Sequence, residues 1–249
     1  SSSIGSSPPP VAHLCRADPP SGRAPGCARP RAEQPRAHME PVPWTRVAEG
    51  SFPDGEHALE TEWTLWVDKK SIDRKDLNAY MDGLKQVGTF NTIEGFFRLW
   101  ALIKKPGSFP RDCSLLCFRS GCRPMWEEFP DGGCWNYRIR RATDSDPHTF
   151  AERAWESMLL CCLGEAFESP DVVGCVMSSR VKEIALSVWN ATNSADTQAR
   201  FKIGERVREV LSLSANALLE YKDFHSSIQD FSSYRNAQPY ILRGQPESV

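Results

Sequence analysis

The sequence of 249 residues has little net charge and lacks a long apolar run. Its 30 Lys and Arg residues against 32 Asp and Glu residues give a formal net charge of −2 at pH 7. No overall positive field therefore attracts nucleic acid, and any RNA contact must be local. Without a stretch of about 18 apolar residues, we expect no membrane-spanning helix. The first ten residues also lack the basic and apolar pattern of a secretory signal.

Metal-binding and catalytic motifs are also missing. Cys113, Cys117 and Cys122 have no second ligand pair at zinc-like spacing, and no His lies near them. Neither a phosphate-binding loop nor a Gly-x-Ser-x-Gly nucleophile motif occurs. A Cys and His nucleophile pair is an alternative that no pattern supports. We therefore predict no catalytic residue, no metal site and no cofactor, so that the protein is not an enzyme.

The nine cysteines indicate the redox compartment. A disulfide framework is typical of small secreted chains, and this chain is not small. Cys161 and Cys162 lie within an apolar helical pattern that suits buried thiols. Reduced, structural cysteines are expected, which favours the cytosol or the nucleus.

Proline divides the chain into two parts. Ten of the 19 prolines lie in the first 50 residues, and few apolar residues accompany them. Such a segment cannot bury enough surface to offset its ordering entropy. We predict a disordered tail over residues 1–50 and one domain over residues 51–249, with the fold beginning near His57.

The periodicity after residue 57 alternates between strand and helix. Aromatic and β-branched residues predict a strand at 63–67, followed by a charged loop at 68–77. Further strands are predicted at 113–118, 135–139, 172–178, 184–189 and 217–222, with a hairpin turn at 131–133. Apolar residues at helical spacing predict helices at 93–101, 150–167 and 195–211. This pattern favours an α+β fold, an antiparallel sheet with helices packed on one face.

Trp126 is the aromatic residue with the most distinctive setting. It lies in a polar segment, Arg123 to Glu128, between a strand and a turn, beside two carboxylates. Loops held on a rigid sheet often carry binding groups. Composition alone does not decide between a core and a binding role for Trp126. Four other tryptophans follow periodic apolar patterns and are interpreted as structural: Trp63, Trp66, Trp135 and Trp155.

Trp126 and Glu127 together suit a methylated guanine. An aromatic face attracts a delocalised cationic ring, and a carboxylate can accept both N–H groups of the guanine edge. Arg180 and Lys182 flank a strand junction and could contact phosphates. The alternative for these two cations is a solvated turn.

Six segments of the chain, in order, resemble the cap-binding translation initiation factor 4E family. They are residues 63–66, 87–94, 124–128, 132–135, 155–165 and 173–189. The resemblance extends from His57 to Tyr221, about two thirds of the chain. Within the family it looks closest to the 4E-homologous-protein branch. In that branch a Tyr, here Tyr80, stands ten residues before Phe90, where the main branch has Trp.

The resemblance implies a curved antiparallel sheet, with helices on its convex face and the ligand site on its concave face. The implied function is binding of the 7-methylguanosine 5′ cap of mRNA in cytoplasmic translation initiation or its regulation. The residues implied for cap binding, with Lys182 added as a further cation, are Tyr80, Trp126, Glu127, Arg180, Lys182 and Trp189. Tyr80 and Trp126 would stack on either side of the base, and Glu127 would accept its N–H groups. Trp189 would lie near the N7 methyl group, and Arg180 would contact the phosphates.

The resemblance also implies a protein partner, either the initiation scaffold subunit or a repressor with a Tyr-x-x-x-x-Leu-type motif. The residues implied for this partner site are His57, Leu59, Ile93, Phe97, Trp155 and Glu156. Phe97 stands where the main branch has Trp, and Glu156 replaces an apolar residue. These departures predict weaker binding of the usual scaffold.

Two further departures concern the cap phosphates. Ala185 and Cys134 stand where the family has basic residues, so phosphate contacts are expected to be weaker unless Lys182 or Arg138 compensates. Two alternatives therefore stay open. One is a family member that serves as a protein-interaction module without useful cap affinity. The other, a cap-hydrolysing enzyme, would need clustered acidic metal ligands, and Glu127 and Glu128 are too few.

Overall fold

The computed structural model describes residues 44–69, 77–144, 146–192 and 197–240. Over these ranges eight strands form one antiparallel sheet. The strands are β1 (Ala58–Lys69), β2 (Leu84–Thr92), β3 (Cys113–Arg119), β4 (Gly133–Arg140), β5 (Val172–Ser179), β6 (Glu183–Asn190), β7 (Leu219–Asp223) and β8 (Gln238–Tyr240). Their order across the sheet is β2-β1-β3-β5-β6-β4-β7-β8.

Five helices connect these strands in the described ranges. They are α1 (Leu77–Gly83), α2 (Ile93–Trp100), α3 (Pro147–Leu163), α4 (Thr197–Val210) and α5 (Phe224–Asp230). Side-chain caps explain three of the starts. Thr92 accepts a hydrogen bond from the N–H of Gly95, Asp146 accepts one from Thr149 and Asp223 accepts one from Ser226. None of the helices described here is both long and apolar enough to cross a membrane.

Side-chain alternation along the strands separates two apolar clusters. On the convex face, Leu115 and Met177 belong to the same buried cluster as residues of α2, α3 and α4. On the concave face, a smaller cluster includes Leu116, Val176 and Trp189. The predicted α+β class and curved antiparallel sheet are confirmed. α5 lies on the concave side, where its first residue, Phe224, belongs to the smaller cluster.

Several element predictions needed correction. The predicted hairpin at 131–133 is wrong, because β4 pairs with β6 and β7 and not with β3. The charged loop predicted at 68–77 is shorter, since Asp68 and Lys69 belong to β1 and Leu77 begins α1; residues 70–76 lie outside the described ranges. The strands β2 and β8 and the helices α1 and α5 were not predicted. α1 and α5 each have seven residues, too few to establish a helical period.

The predicted tail covers residues 1–50, of which 1–43 lie outside the described ranges. Residues within 44–47 contact the domain. The indole N–H of Trp44 donates to the carbonyl oxygen of Pro170 at 2.6 Å, and Arg46 forms a backbone bridge to Thr61. The Arg119 guanidinium carbon lies 5.4 Å from the centre of the Trp44 ring. The tail boundary at residue 50 stays a prediction.

All seven cysteines in the described part of the chain are free thiols in buried positions. Burial raises the pKa of Cys117 and Cys175 well above the usual thiol value, which keeps these thiols protonated and unreactive. Among the described residues, no group of three or more His, Cys, Asp or Glu side chains could hold a metal ion.

Candidate functional site

Strand pairing places one row of side chains across the concave face. Asp68 of β1 pairs with Ser114 of β3, which pairs with Ser178 of β5. Ser178 pairs with Ala185 of β6, and Ala185 pairs with Arg138 of β4. Because side chains alternate along a strand, these five point to the same face. All five line one cavity.

This cavity has a volume of about 640 Å³, within the range of small-molecule sites. Every residue implied for cap binding lines it: Tyr80, Trp126, Glu127, Arg180, Lys182 and Trp189. They come from α1, the turn after β3, the segment joining β5 to β6, and β6 itself. Residues up to 109 positions apart in the sequence, from Tyr80 to Trp189, are therefore brought together.

Trp126 begins a short 3-10 turn, Trp126–Glu128, with buried residues on both sides. Met125 and Phe129 are buried, and the N–H of Phe129 donates to the Trp126 carbonyl oxygen at 3.0 Å. The Trp126 ring is only partly buried and the Glu127 side chain is exposed. The turn therefore presents a ring and a carboxylate to the cavity from a fixed backbone.

Tyr80 lies on a different segment of the chain, helix α1. Its hydroxyl donates to the carbonyl oxygen of Pro124 at 2.8 Å, two residues before Trp126. Trp189 lies deeper and is 6% exposed. Its ring contacts Phe118 edge-on at a centroid distance of 5.1 Å and Phe224 at 4.4 Å. Trp189 can therefore offer a ligand only a small part of its ring.

The cations that line the cavity differ in how strongly neighbouring side chains already interact with their charge. Arg180 donates to the Ser114 hydroxyl at 3.1 Å, and Lys182 is exposed at the rim. Arg138 forms an ion pair with Glu220 at 2.8 Å and lies 3.9 Å from Glu183. Two carboxylates thus offset the charge of Arg138. Lys182 is therefore favoured over Arg138 as the cation that replaces the basic residue missing at Ala185.

Cys134 belongs to the apolar cluster of the concave face but does not line the cavity. Its side chain is 1% exposed, and burial raises the pKa of its thiol to about 12. The amide nitrogen of Asn136 lies 3.2 Å from its sulfur. The weaker phosphate contact expected from Cys134 therefore stays a prediction.

Sequence reasoning missed the cavity side formed by α5 and the segment after it. Ile228, Phe231, Ser233 and Tyr234 line the cavity there. Phe231 and Tyr234 are 50% and 52% exposed, and the Arg138 guanidinium carbon lies 5.5 Å from the centre of the Tyr234 ring. Two aromatic residues within a polar segment were the signal that could have indicated this rim.

The residues implied for a protein partner lie on the convex side, and all but one of them are at least partly exposed. Ile93 and Phe97 of α2 are 42% and 50% exposed, Glu156 of α3 is exposed, and Leu59 is partly buried. The Nδ1 atom of His57 lies within hydrogen-bonding distance of a Glu94 carboxylate oxygen, at 2.7 Å. The side-chain hydrogen bond from His57, aided by one from its backbone, lowers the pKa of Glu94 to about 2.

Trp155 is the exception and corrects the predicted partner site. Its side chain is 0% exposed and belongs to the convex core cluster. A ring enclosed by the sheet and α3 cannot contact a partner, so its assignment to the partner site is wrong. The earlier interpretation of Trp155 as structural fits this position.

Aromatic rings, an exposed carboxylate and cations around one concave cavity define a protein that binds a nucleotide-like ligand. The family model of eukaryotic initiation factor 4E matches residues 58–239, and the chain belongs to this family. Members of this family are initiation factors, which agrees with the prediction that the protein is not an enzyme.

Two sequence relatives illustrate the match. The chain is 34% identical over 185 residues to eukaryotic translation initiation factor NCBP of Triticum aestivum, covering 73% of this chain and 76% of the relative. It is 30% identical over 205 residues to eukaryotic translation initiation factor 4E of Saccharomyces cerevisiae, covering 80% and 89%.

Two solved structures share the fold. A complex of C. elegans eIF4E-3 with the 4E-binding protein Mextli and a cap analog has a TM-score of 0.61 at 27% identity, covering 69% of this chain and 95% of that chain. A complex of Ascaris suum eIF4E-3 with the m2,2,7G cap has a TM-score of 0.63 at 25% identity, covering 75% and 97%.

Proposed function

We propose that this protein binds the 7-methylguanosine 5′ cap of mRNA in the concave cavity and acts in cytoplasmic translation initiation or its regulation. The observation that supports this most is the convergence of Tyr80, Trp126 and Glu127, with two cations, on one cavity. Membership of the initiation factor 4E family gives independent support.

The proposed recognition of the base follows from the side chains at the rim. The rings of Tyr80 and Trp126 would stack on the two faces of the methylated guanine, whose positive charge favours aromatic contacts. The exposed carboxylate of Glu127 would accept the two N–H groups of the guanine edge. An adenine edge presents a different donor and acceptor pattern, so this arrangement selects guanine.

The proposed phosphate contacts come from the hairpin between β5 and β6. Arg180 would use its planar fork, oriented by the Ser114 hydroxyl. Lys182 would add a point charge from the rim. Because Glu220 and Glu183 offset Arg138, we assign no phosphate contact to it.

Retention on a cap-analogue resin tests the proposed function directly. The purified chain should stay on immobilised 7-methylguanosine triphosphate and elute with the free methylated nucleotide. GTP at the same concentration should elute little, because it lacks the positive charge of the methylated ring. A folded protein that flows through the resin would instead support a protein-interaction module without cap affinity.

Truncation of the amino terminus up to residue 51 should lower the melting temperature and leave cap binding unchanged. A chain beginning at residue 44 and one beginning at residue 51 should both bind the cap analogue as well as the whole chain. The shorter chain should melt at a lower temperature, because it loses the hydrogen bond of Trp44, worth about 0.5–1.5 kcal/mol. Loss of cap binding in either chain would show that the tail contributes to the site.

We propose that the convex face binds a protein partner with a Tyr-x-x-x-x-Leu-type motif, either the initiation scaffold or a repressor. Ile93 and Phe97 lie one helical turn apart on α2 and both are substantially exposed. Glu156 and the 44%-exposed Leu160 lie one turn apart on α3. Phe97 is half exposed, so its side chain is not enclosed in the core.

Substitutions of Phe97 should change peptide affinity in opposite directions. Phe97→Trp adds an indole N–H donor, which should strengthen binding of a Tyr-x-x-x-x-Leu peptide by about 0.5–1.5 kcal/mol. Phe97→Ala should weaken binding without unfolding the protein. Fluorescence anisotropy of a labelled peptide measures both effects.

Phe231→Ala is the matched control for Phe97→Ala, since Phe231 is equally exposed but lines the concave cavity. Its peptide affinity should equal that of the parent. A large fall in melting temperature for Phe97→Ala, together with unchanged peptide binding, would place the partner surface elsewhere.

A further inference from the structure

The two aromatic residues proposed to stack on the base are held in different ways. Trp126 follows buried Met125 and precedes buried Phe129 by three positions, and backbone hydrogen bonds close its turn. Tyr80 lies on α1, a helix of seven residues whose Met81 and Asp82 are exposed. One ring is therefore fixed by the core of the concave face, and the other is on a short helix with exposed neighbours.

A hydrogen bond joins the two segments at the cavity. The Tyr80 hydroxyl donates to the Pro124 carbonyl oxygen at 2.8 Å, between residues 44 positions apart in the sequence. This distance is typical of a well-formed O–H···O bond. Pro124 is buried and lies two residues before Trp126, so the bond links the Tyr80 ring to the backbone that carries the Trp126 ring.

We infer that the Tyr80 hydroxyl is a positioning group that sets the spacing of the two rings before the ligand arrives. This inference rests on the proposed function, because it concerns the same cavity. If the two rings are already ordered in the free protein, binding avoids the free-energy cost of ordering side chains and loops. The ring of Tyr80 stacks on the base, and its hydroxyl keeps that ring at a fixed spacing from the ring of Trp126.

The Tyr80→Phe variant isolates the hydroxyl, because it keeps the stacking ring. The bond to Pro124 is lost, and a neutral hydrogen bond of about 0.5–1.5 kcal/mol corresponds to a rise in Kd of about 2- to 12-fold. In the ligand-free protein, amide hydrogen exchange over α1, the segment with fewer other restraints, should become faster. The exchange of the convex core should not change.

Tyr137→Phe is the matched control. It removes the same phenolic oxygen from a side chain that packs against Phe150 of α3 on the convex side. Its Kd for 7-methylguanosine triphosphate and its amide exchange over α1 should equal those of the parent.

Two results would overturn the inference. The first is a Tyr80→Phe variant with the Kd and the α1 exchange of the control. The second is a raised Kd with unchanged α1 exchange, which would show that the hydroxyl contacts the ligand directly. Failure of the parent chain to bind the methylated nucleotide would refute the proposed function instead, so the two failures are distinguishable.

Discussion

The Trp126→Ala variant should lose most of its affinity for 7-methylguanosine triphosphate while remaining folded. Removing one aromatic face from a stacked base costs about 1–3 kcal/mol, which corresponds to a rise in Kd from about 5-fold to more than 100-fold. The fold should persist, because the Trp126 ring is at the cavity and only partly buried, whereas Met125 and Phe129 keep the turn attached to the core.

Calorimetric titration is the appropriate measurement, since the substitution itself alters tryptophan fluorescence. The Trp126→Phe variant is the control, because it keeps a smaller aromatic face and should retain part of the affinity. If Trp126→Ala binds as tightly as the parent chain, the assignment of Trp126 to the stack is wrong.

The Glu127→Gln variant should lose its preference for guanine more than its contacts to phosphate. An amide offers one acceptor and one donor to two N–H groups, so one charge-assisted hydrogen bond is lost. Such bonds contribute about 1.5–3 kcal/mol, equivalent to a factor of about 10 to 150 in Kd. The quantity to measure is the ratio of the Kd values for 7-methylguanosine triphosphate and its methylated adenosine counterpart.

Glu128→Gln is a matched control at the next position. Glu128 is also exposed and belongs to the same turn, but it does not line the cavity. This variant should keep the base preference of the parent. An unchanged preference in Glu127→Gln, or an equal loss in both variants, would contradict the proposed role of Glu127.

Much of the fold could be predicted from periodicity, and the exceptions have physical reasons. β1 and the β5–β6 pair carry apolar and β-branched runs that are typical of strands. β2 has the sequence LKQVGTFNT, in which most side chains are polar or exposed. As the first strand in the order of the sheet, it has few buried positions and hence no apolar alternation to detect.

The candidate site was predictable where a residue was unusual for its local setting. Trp126 stood out because a large aromatic residue lay between charged residues. The contribution of the α5 side, including Phe231 and Tyr234, depends on the pairing of β7 with β4. That long-range pairing leaves no local pattern, so no argument from spacing could place these side chains near Trp126.

Trp155 illustrates the limit of reasoning from a resemblance. Its neighbour Glu156 is exposed, whereas Trp155 is enclosed by the convex core. Successive residues of a helix face directions about 100° apart, so adjacent positions can differ completely in exposure. The rotation of α3 about its own axis, relative to the sheet, decides whether a partner can reach Trp155 or Glu156.

The most direct test of cap binding is a fluorescence titration of the unmodified chain with 7-methylguanosine triphosphate and, separately, with GTP. Stacking on Trp126 should quench tryptophan emission in a saturable way with the methylated nucleotide, and a much higher concentration of GTP should be needed for the same effect. The absence of saturable quenching by either nucleotide, or equal Kd values for the two, would contradict recognition of the methylated cap by this cavity.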